Sequence, residues 1–459
     1  MHTLRPGRAS VQIIVVGGGQ VGTTLAGKLS REGHDVTVIE RQSALADELS
    51  SVLDVRVIHG DGATVDTLRR AGAADANLVV ASTDSDEANF ISGRIAASIF
   101  KVPRVVVRLR DPAHAESFEA LSRSDAVDIA WVNPESAAVD KIALLLEVPG
   151  ALDVANFMDG ELIVAGFPIA EGSEFTDRPV LDMGLFFAGS PSLVAAIQRR
   201  EGAIVPQGGE VIRVGDLVYF ALARSDLSAV LDLLGAQQGP SRKVMVAGAS
   251  RIGLALAERL EGADTPVTLI ESDPERARAA AEGLTEALVI RGRVTSQPLL
   301  EEEQIERVST FVAVTDDHET NLVAGLLAKR LGAQRAFALV DNPALANLIG
   351  DTPIDAIISP RLLAVGLTLQ HVPGARLHAV AALQGDEVEI LEAEVVKGSP
   401  VCVGPLADLN LPRGILFLAL RRSGSLRVLK GGDQMEPGDR VLVAVGAGQR
   451  AKLSELLSV

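Results

Sequence analysis

The stretch Val11–Glu40, VQIIVVGGGQVGTTLAGKLSREGHDVTVIE, returns in altered form as KVMVAGASRIGLALAERLEGADTPVTLIE at Lys243–Glu271, and this repetition constrains the fold more than any other feature of the chain. Gly17 to Gly248 is 231 positions, as is Glu40 to Glu271, and Thr83 to Thr315 is 232. A second correspondence, between the segments that start at Leu193 and Leu416, runs without gaps at an offset of 223. Two kinds of segment repeating in the same order mean that a pair of domains was duplicated. A chain of 459 residues has room for three or four domains. The repeat selects four, at 11–148, 149–235, 242–372 and 373–459.

Within the first copy an apolar run, Val11–Val16, leads into Gly17-Gly18-Gly19-Gln20-Val21-Gly22, and Leu25 and Leu29 then recur at helical spacing before Gly33. The spacing predicts a strand, a tight turn and a helix. Gly17 permits the turn, Gly19 lets the backbone approach a pyrophosphate, and Gly22 allows close helix–strand packing. Free amides at the helix start would hold the anion. A second apolar run, Val36–Ile39, ends in Glu40 and is followed by Arg41. A carboxylate there can accept both ribose hydroxyls and disfavours a 2′-phosphate, so NAD(H) is preferred to NADP(H). ATP, ADP and AMP carry the same free hydroxyls and stay open.

Helices are expected at Ser43–Leu53, Val65–Ala71, Glu87–Phe100 and Pro134–Leu146, and strands at Val55–Ile58, Leu78–Ala81, Arg104–Leu109 and within Ser124–Asn133. This alternation predicts a parallel sheet with helices on both faces. Ligands of such sheets sit outside the carboxyl ends of the strands, where Asp61-Gly62 and the turn Ser82–Asn89 fall. From Ala151 the pattern changes to short apolar runs at Leu162–Ala165, Leu193–Ile197, Val211–Val214 and Leu217–Ala223, a small strand-rich domain, before the linker Gly235–Ser241. Met1–Ser10 reads as a short extension. The expected fold class is α/β: two Rossmann-like parallel-sheet domains, each followed by a small α+β domain, in tandem.

The two copies differ where a ligand would lie. The second turn reads Gly248-Ala249-Ser250-Arg251-Ile252-Gly253, so a Cβ stands where Gly19 has none, and Gly292-Arg293-Val294 replaces Gly60-Asp61-Gly62, exchanging a carboxylate for a guanidinium. The first site is therefore expected to bind nucleotide in the usual way, and the second to be weaker, altered in preference or empty.

A net charge of −17 argues against a nucleic-acid backbone as the main partner. The single cysteine, Cys402, cannot form an intramolecular disulfide, which fits a reducing compartment. No uncharged apolar run reaches the roughly 18–20 residues of a bilayer span. Catalytic signatures are also missing. Tyr219, the only tyrosine, falls inside an expected strand and has no Tyr-x-x-x-Lys partner, while His59 and His318 adjoin expected site turns without an evident relay. CxxC, HExxH and GKS/GKT motifs are absent. Glu387, Glu389, Glu392 and Glu394 alternate as on a solvated strand face, Asp84 and Asp86 suit a helix start, and Asp216 and Asp439 read as turn formers. An NAD-dependent oxidoreductase and a ligand-sensing module of another cation transporter or channel remain the alternatives.

The glycine turn, Ser82-Thr83-Asp84-Ser85-Asp86-Glu87-Ala88-Asn89, Arg108-Leu109-Arg110, Pro149-Gly150-Ala151-Leu152 with Asn156-Phe157, and Thr315-Asp316-Asp317-His318-Glu319-Thr320-Asn321 followed by Ala328-Lys329-Arg330 together resemble the TrkA family over essentially the whole chain. That resemblance implies a cytosolic regulatory subunit of a Trk-type potassium uptake system, built from two tandem RCK (KTN) units. It implies a homotetrameric ring on the cytoplasmic face of a TrkH-type membrane subunit, with NAD(H) or ATP/ADP as regulatory ligand. By position, Gly17–Gly22 would hold the phosphates, Glu40 the ribose, Asp61 and Gly62 the adenine surroundings, and Ser82, Thr83, Asp84 and Glu87 the sheet-end contacts. Arg108 and Arg110 would be candidates for phosphate charge. Glu271 and Thr315 are the second-half counterparts of Glu40 and Thr83.

Overall fold

The computed structural model describes residues 11–122, 127–183, 192–234, 243–341, 352–373, 377–383 and 387–457. The extension Met1–Ser10, the linker Gly235–Ser241 and the start of the Ser124–Asn133 region lie outside the described residues.

Six strands, Gln12–Val16 (β1), Asp35–Glu40 (β2), Arg56–His59 (β3), Leu78–Ala81 (β4), Arg104–Arg108 (β5) and Asp128–Val132 (β6), form one sheet in the order β3-β2-β1-β4-β5-β6, parallel throughout. The strands are apolar on both faces because both are covered. Ile13 and Val15 pack with Leu25 and Leu29 of the helix Gln20–Arg31, while Ile14 and Val16 share the opposite layer with Ala96, Ala97 and Phe118. Phe118 belongs to a helix, Pro112–Ser122, that the sequence pattern did not announce, since its buried residues are Ala115 and Phe118 alone. Strand order reverses between β1 and β4, the switch point at which such sheets take ligands.

A small antiparallel sheet follows: Asp153–Phe157 (β7), Leu162–Pro168 (β8), Ser192–Arg199 (β9), Gly202–Ile204 (β10) and Leu217–Ala223 (β11), in the order β10-β9-β11-β8-β7. Val211–Val214, expected as a strand, makes only an isolated bridge from Val211 to Pro179, because Arg213 and the buried Asp216 form a turn there instead. The second half repeats both sheets. Val244–Ala247 (β12), Val267–Glu271 (β13), Leu288–Arg291 (β14), Thr310–Ala313 (β15), Arg335–Leu339 (β16) and Ala356–Ile358 (β17) run in the order β14-β13-β12-β15-β16-β17. Leu377–Ala382 (β18), Val388–Glu394 (β19), Ile415–Arg422 (β20), Ser425–Val428 (β21) and Arg440–Gly446 (β22) run in the order β18-β19-β22-β20-β21.

The compact units cut across the sequence repeat. One joins the described residues up to Pro134 with 361–380 and those from Arg450 onward; the other takes 135–360 and 381–449. In the first unit, Ala364, Val365 and Leu369 of the second half's helix Pro360–Leu369 pack in the layer of Ile13, Val15 and Leu25. Arg104 at the start of β5 donates to the His371 carbonyl at 3.0 Å and pairs with Asp128 at 2.7 Å. In the second unit, Arg335 at the start of β16 donates to the carbonyls of Leu145 and Ala151, both at 2.9 Å, at the end of the first half's helix Pro134–Glu147. Each sheet thus carries an arginine that grips the end of a helix supplied by the other repeat. Burial pushes the Arg335 guanidinium down to about 10.

Polar residues of the small sheets behave differently from expectation. Glu389 and Glu392 are buried, and Glu392 accepts from the Met158 amide at 2.7 Å and pairs with Arg440. Asp216 and Asp439 form their turns but also pair, as buried carboxylates, with Arg199 at 3.1 Å and Arg422 at 2.6 Å. An alternating acid pattern reads as solvated only until basic partners elsewhere in the sequence are known.

Candidate functional site

All parallel strands of a Rossmann-like sheet end on one edge, so the predicted site residues of the first half converge there. β1 stops at Val16 and the chain turns at once. Gly17 has a φ of 104°, and a Cβ on it would lie 3.0 Å from Thr83 backbone atoms, so both conformation and close approach demand glycine. Its N–H donates to the Ile39 carbonyl at 2.8 Å, tying the turn to β2. At Gly22 a Cβ would stand 1.9 Å from the Gly17 carbonyl oxygen, which no side chain can survive. Gly248, with φ of 107°, and Gly253, whose Cβ would lie 2.0 Å from the Gly248 carbonyl, repeat both constraints. These four glycines build a turn whatever the turn binds.

Gly19 is different. Nothing lies within 4 Å of a Cβ placed on it, and its φ of −67° suits any residue. The fold does not ask for glycine there, so the open volume is free for a group from outside. The helix Gln20–Arg31 begins at Gly19 without a side-chain cap, which leaves first-turn amides and the positive end of the helix dipole facing that volume. Gln20 is exposed and Val21 buried. At Gly18 a Cβ would strike Leu49 at 2.4 Å, and its N–H donates to Glu40 Oε2 at 2.7 Å.

Glu40, buried at the end of β2, also accepts from the Gln42 amide through Oε1 at 2.8 Å. A carboxylate offers about four acceptor positions, so the two backbone bonds orient it and leave capacity for hydroxyl donors. Arg41 is exposed, its carbonyl 3.1 Å from His59 Nε2. Asp61 forms a local turn by accepting from the Ala63 amide at 2.9 Å, and Gly62 is buried where a Cβ would meet Val16 at 2.2 Å. Across the switch point, Ser82 is buried after β4, and its Oγ has no hydrogen-bond partner among the described residues. A buried hydroxyl left over at a sheet's ligand edge fits a ligand contact.

Thr83 is held by a residue the sequence reading did not single out. Fully buried Asn89 accepts from the Thr83 N–H at 2.7 Å and its hydroxyl at 2.8 Å, and donates to the carbonyls of Thr83 at 3.0 Å and Arg108 at 2.9 Å. All its hydrogen-bonding capacity goes to joining the β4 and β5 ends. Asn321 does the same for Thr315 and Leu339. The signal was present in the sequence: in each copy an asparagine stands six residues after the threonine.

Ser85, rather than either aspartate, caps the helix Asp86–Ser98 by accepting from the Ala88 amide at 3.1 Å. Asp84 is exposed and lies 3.9 Å from Arg108. Glu87 accepts from the Ser85 hydroxyl at 2.7 Å, which holds its carboxyl below the usual range. Asp86 reaches the next turn and accepts from the Arg110 and Asp111 amides, both at 2.8 Å. Burial alone would push its carboxyl up, but these amides and the Arg110 guanidinium outweigh it and hold it low. Arg110 is itself engaged with Asp86 at 3.4 Å and with the Asp84 carbonyl, so it braces the turn.

In the second half the same edge is filled from inside. Ser250 is buried where Gly19 is exposed. Its Oγ donates to the Val314 carbonyl and accepts from the Gly253 amide at 3.1 Å, capping the helix Arg251–Glu261 and using an amide that the first half leaves without a cap. Ala249 N–H donates to Glu271 Oε2 at 2.9 Å, repeating the Gly18–Glu40 bond; Arg251 is exposed and Ile252 buried. Val314 stands where the first half has Ser82, and Leu339 and Asp341 where it has Arg108 and Arg110. Arg276, which corresponds to Leu45, lies 3.5 Å from Glu271 and 2.7 Å from Asp316. Among the described residues no group of three or more His, Cys, Asp or Glu side chains is arranged to hold a metal ion, and no helix is long and apolar enough to cross a membrane. Tyr219 is buried against Asp153 at 3.0 Å, away from both glycine turns in sequence and sheet.

Residues 13–128 and 244–360 match the TrkA-N domain family, and 164–235 and 390–458 match the TrkA-C domain family. The chain is 31% identical to the Trk system potassium uptake protein TrkA of Azorhizobium caulinodans, over 98% of this chain and 99% of that one. It is 34% identical to the protein of the same name from Halomonas elongata, over 95% and 96% of the two chains. Among solved structures, the GsuK RCK domain superposes with a TM-score of 0.61 at 19% identity, covering 99% of this chain and 96% of its own. The GsuK channel bound to NAD gives 0.61 at 18% identity, covering 99% and 80%. At that identity the structural likeness speaks for the fold.

Proposed function

The chain belongs to the TrkA family, and from that premise we propose that it is a nucleotide-binding regulatory subunit of a Trk-type potassium uptake system, acting as a sensor rather than as an enzyme. The observation that carries this reading is Gly19: an open volume, unneeded by the fold, in front of an uncapped helix N-terminus at the switch point of the first sheet. The ligand is an adenine nucleotide, NAD(H) or ATP/ADP. First-turn amides of Gly17–Gly22 hold its phosphates, Glu40 accepts its ribose hydroxyls, and Ser82, Thr83, Asp84 and Glu87 line the far side. Asp61, Gly62 and Arg41 border the base, and Arg108 and Arg110 answer phosphate charge, Arg110 through the brace it forms with Asp86. The proposed modules are 11–148, 149–235, 242–372 and 373–459, the two sequence repeats of an N-terminal and a C-terminal part.

The partner is a TrkH-type membrane subunit, met at the cytoplasmic face of the membrane by a homotetramer of this chain. A ligand shifts a two-state equilibrium only through its differential affinity for the two states. ATP and ADP differ by one phosphate's charge, so the residues that sense the difference are those facing the terminal phosphate. Potassium or rubidium uptake into vesicles carrying the membrane subunit tests the reading: flux should depend on added chain and on nucleotide, and Gly19→Ser should remove the nucleotide dependence. Flux indifferent to nucleotide, or steady consumption of NADH or ATP by the purified chain alone, would overturn it.

A further inference from the structure

The second sheet places three charged residues in a row across its own ligand edge. Glu271 closes β13, Asp316 follows β15, and β12, with the turn Gly248–Gly253, lies between those two strands. A side chain that touches both acids must therefore cross the end of β12, the switch point of this sheet. Arg276 does so, with Nη1 at 2.7 Å from Asp316 Oδ2 and Nη2 at 3.5 Å from Glu271 Oε2. It extends from the helix Pro274–Gly283, which Asp273 caps by accepting from the Glu275 and Arg276 amides, both at 2.9 Å. The cap fixes the root of the arginine at the mouth of the site.

We propose that Arg276 closes the second site from within, so that the second half holds its own cation against the carboxylate that in the first half is left to receive a ribose. The proposal rests on the nucleotide reading of the first half and assigns the difference between halves to named side chains. Two features act together. Ser250 takes the place of a phosphate at the helix N-terminus by bonding the Gly253 amide, and Arg276 takes the place of the ribose at Glu271. The first half has neither: Gly19 is open and the residue corresponding to Arg276 is Leu45. Burial would lower the Arg276 pKa, but the hydrogen bond to Asp316 and the charges of Glu271, Asp316 and Asp273 outweigh it and raise it; a guanidinium is charged at any physiological pH in either case. Arg276 is partly exposed and Asp316 exposed, so the bridge is a weak one taken alone. Its effect comes from standing in a place that a ligand needs.

Calorimetric titration of the full chain with NADH, and separately with ATP, compares wild type, Ser250→Gly, and Ser250→Gly with Arg276→Leu. Wild type should take one equivalent per chain. Ser250→Gly alone should leave the count at one or add a second event at least about fivefold weaker than that of the double variant. The double variant should take two, and the second should persist when Gly19→Ser is added. Two equivalents of matched affinity in wild type, equal second-site affinity with and without Arg276, or a folded double variant that stays at one would each overturn the proposal. Absence of any binding by wild type would instead remove the nucleotide reading on which it rests, and thermal melting of each variant separates misfolding from either result.

Discussion

Gly17–Gly22 and Gly248–Gly253 share a turn, a helix start and a bonded carboxylate, yet one leaves a volume open at its centre and the other fills it with Ser250. The contrast separates what a Rossmann turn needs in order to fold from what it needs in order to bind. Glycines at the first and last positions are kept in both halves because a Cβ would strike Thr83 or Thr315 in one case and the turn's own carbonyl in the other. The middle glycine is kept only in the first half, where the chain gains nothing structural from it. Polarity and charge follow the same division: Ser82 gives way to Val314, Arg108 and Arg110 to Leu339 and Asp341, and an internal guanidinium appears across the second edge.

Substitutions at matched positions put this division at risk, and the largest effect is expected where the halves agree. Gly22→Ala and Gly253→Ala should each cost about 3 kcal/mol or more, because the added methyl meets backbone; chemical denaturation should find the two losses alike. A loss confined to the first half would mean that the turn is under functional rather than structural control. Arg335→Met should follow, at about 2–3 kcal/mol, since it strips two buried carbonyls of their donor. Arg104→Met, at the matching but half-exposed position, should cost under about 1 kcal/mol. Equal costs would contradict the burial argument.

Gly19→Ser should change stability by no more than about 1 kcal/mol, and toward greater stability, because serine would cap the helix as Ser250 does. Nucleotide affinity should fall about tenfold or more in the same variant, read by calorimetry. A destabilised protein with unchanged affinity would reverse the assignment of Gly19. The smallest effect concerns acid. Asp86 has a folded-state pKa below its ordinary value, so the stability it contributes is complete above that ordinary value, near 3.8, and is lost as pH falls through the lowered one. The second half has His318 at the matching position. Asp86→Asn should therefore flatten the acid limb of the pH–stability curve below about pH 4, and an unchanged limb would show that the carboxylate does not anchor the Arg110 turn.

The glycine turns, the alternation of strands and helices and the tandem repeat were legible in the sequence because their constraints are local or recur at a fixed offset. Ser250 could be flagged for the same reason. Other features were not, and the causes are particular. The helix Pro360–Leu369 carries an apolar face that suits either sheet, so nothing in its own residues tells that it packs with Ile13 and Val15. Arg276 is one of two arginines on an exposed-looking helix, and its role depends on Asp316, forty residues away. Glu392 alternates with its neighbours as a surface acid would, and its burial is explained only by Arg440 and the Met158 amide. Asn89 was visible as part of a motif, but its four bonds join strand ends that only the folded sheet brings together.

Hydrogen–deuterium exchange of the intact chain, with and without saturating NADH or ATP, tests the division between the halves most directly. Peptides covering Gly17–Thr24 should gain protection on adding nucleotide, while those covering Gly248–Ala255 should exchange at the same rate in both samples. Protection of the second turn to the same degree as the first, or of the second turn alone, would contradict the account.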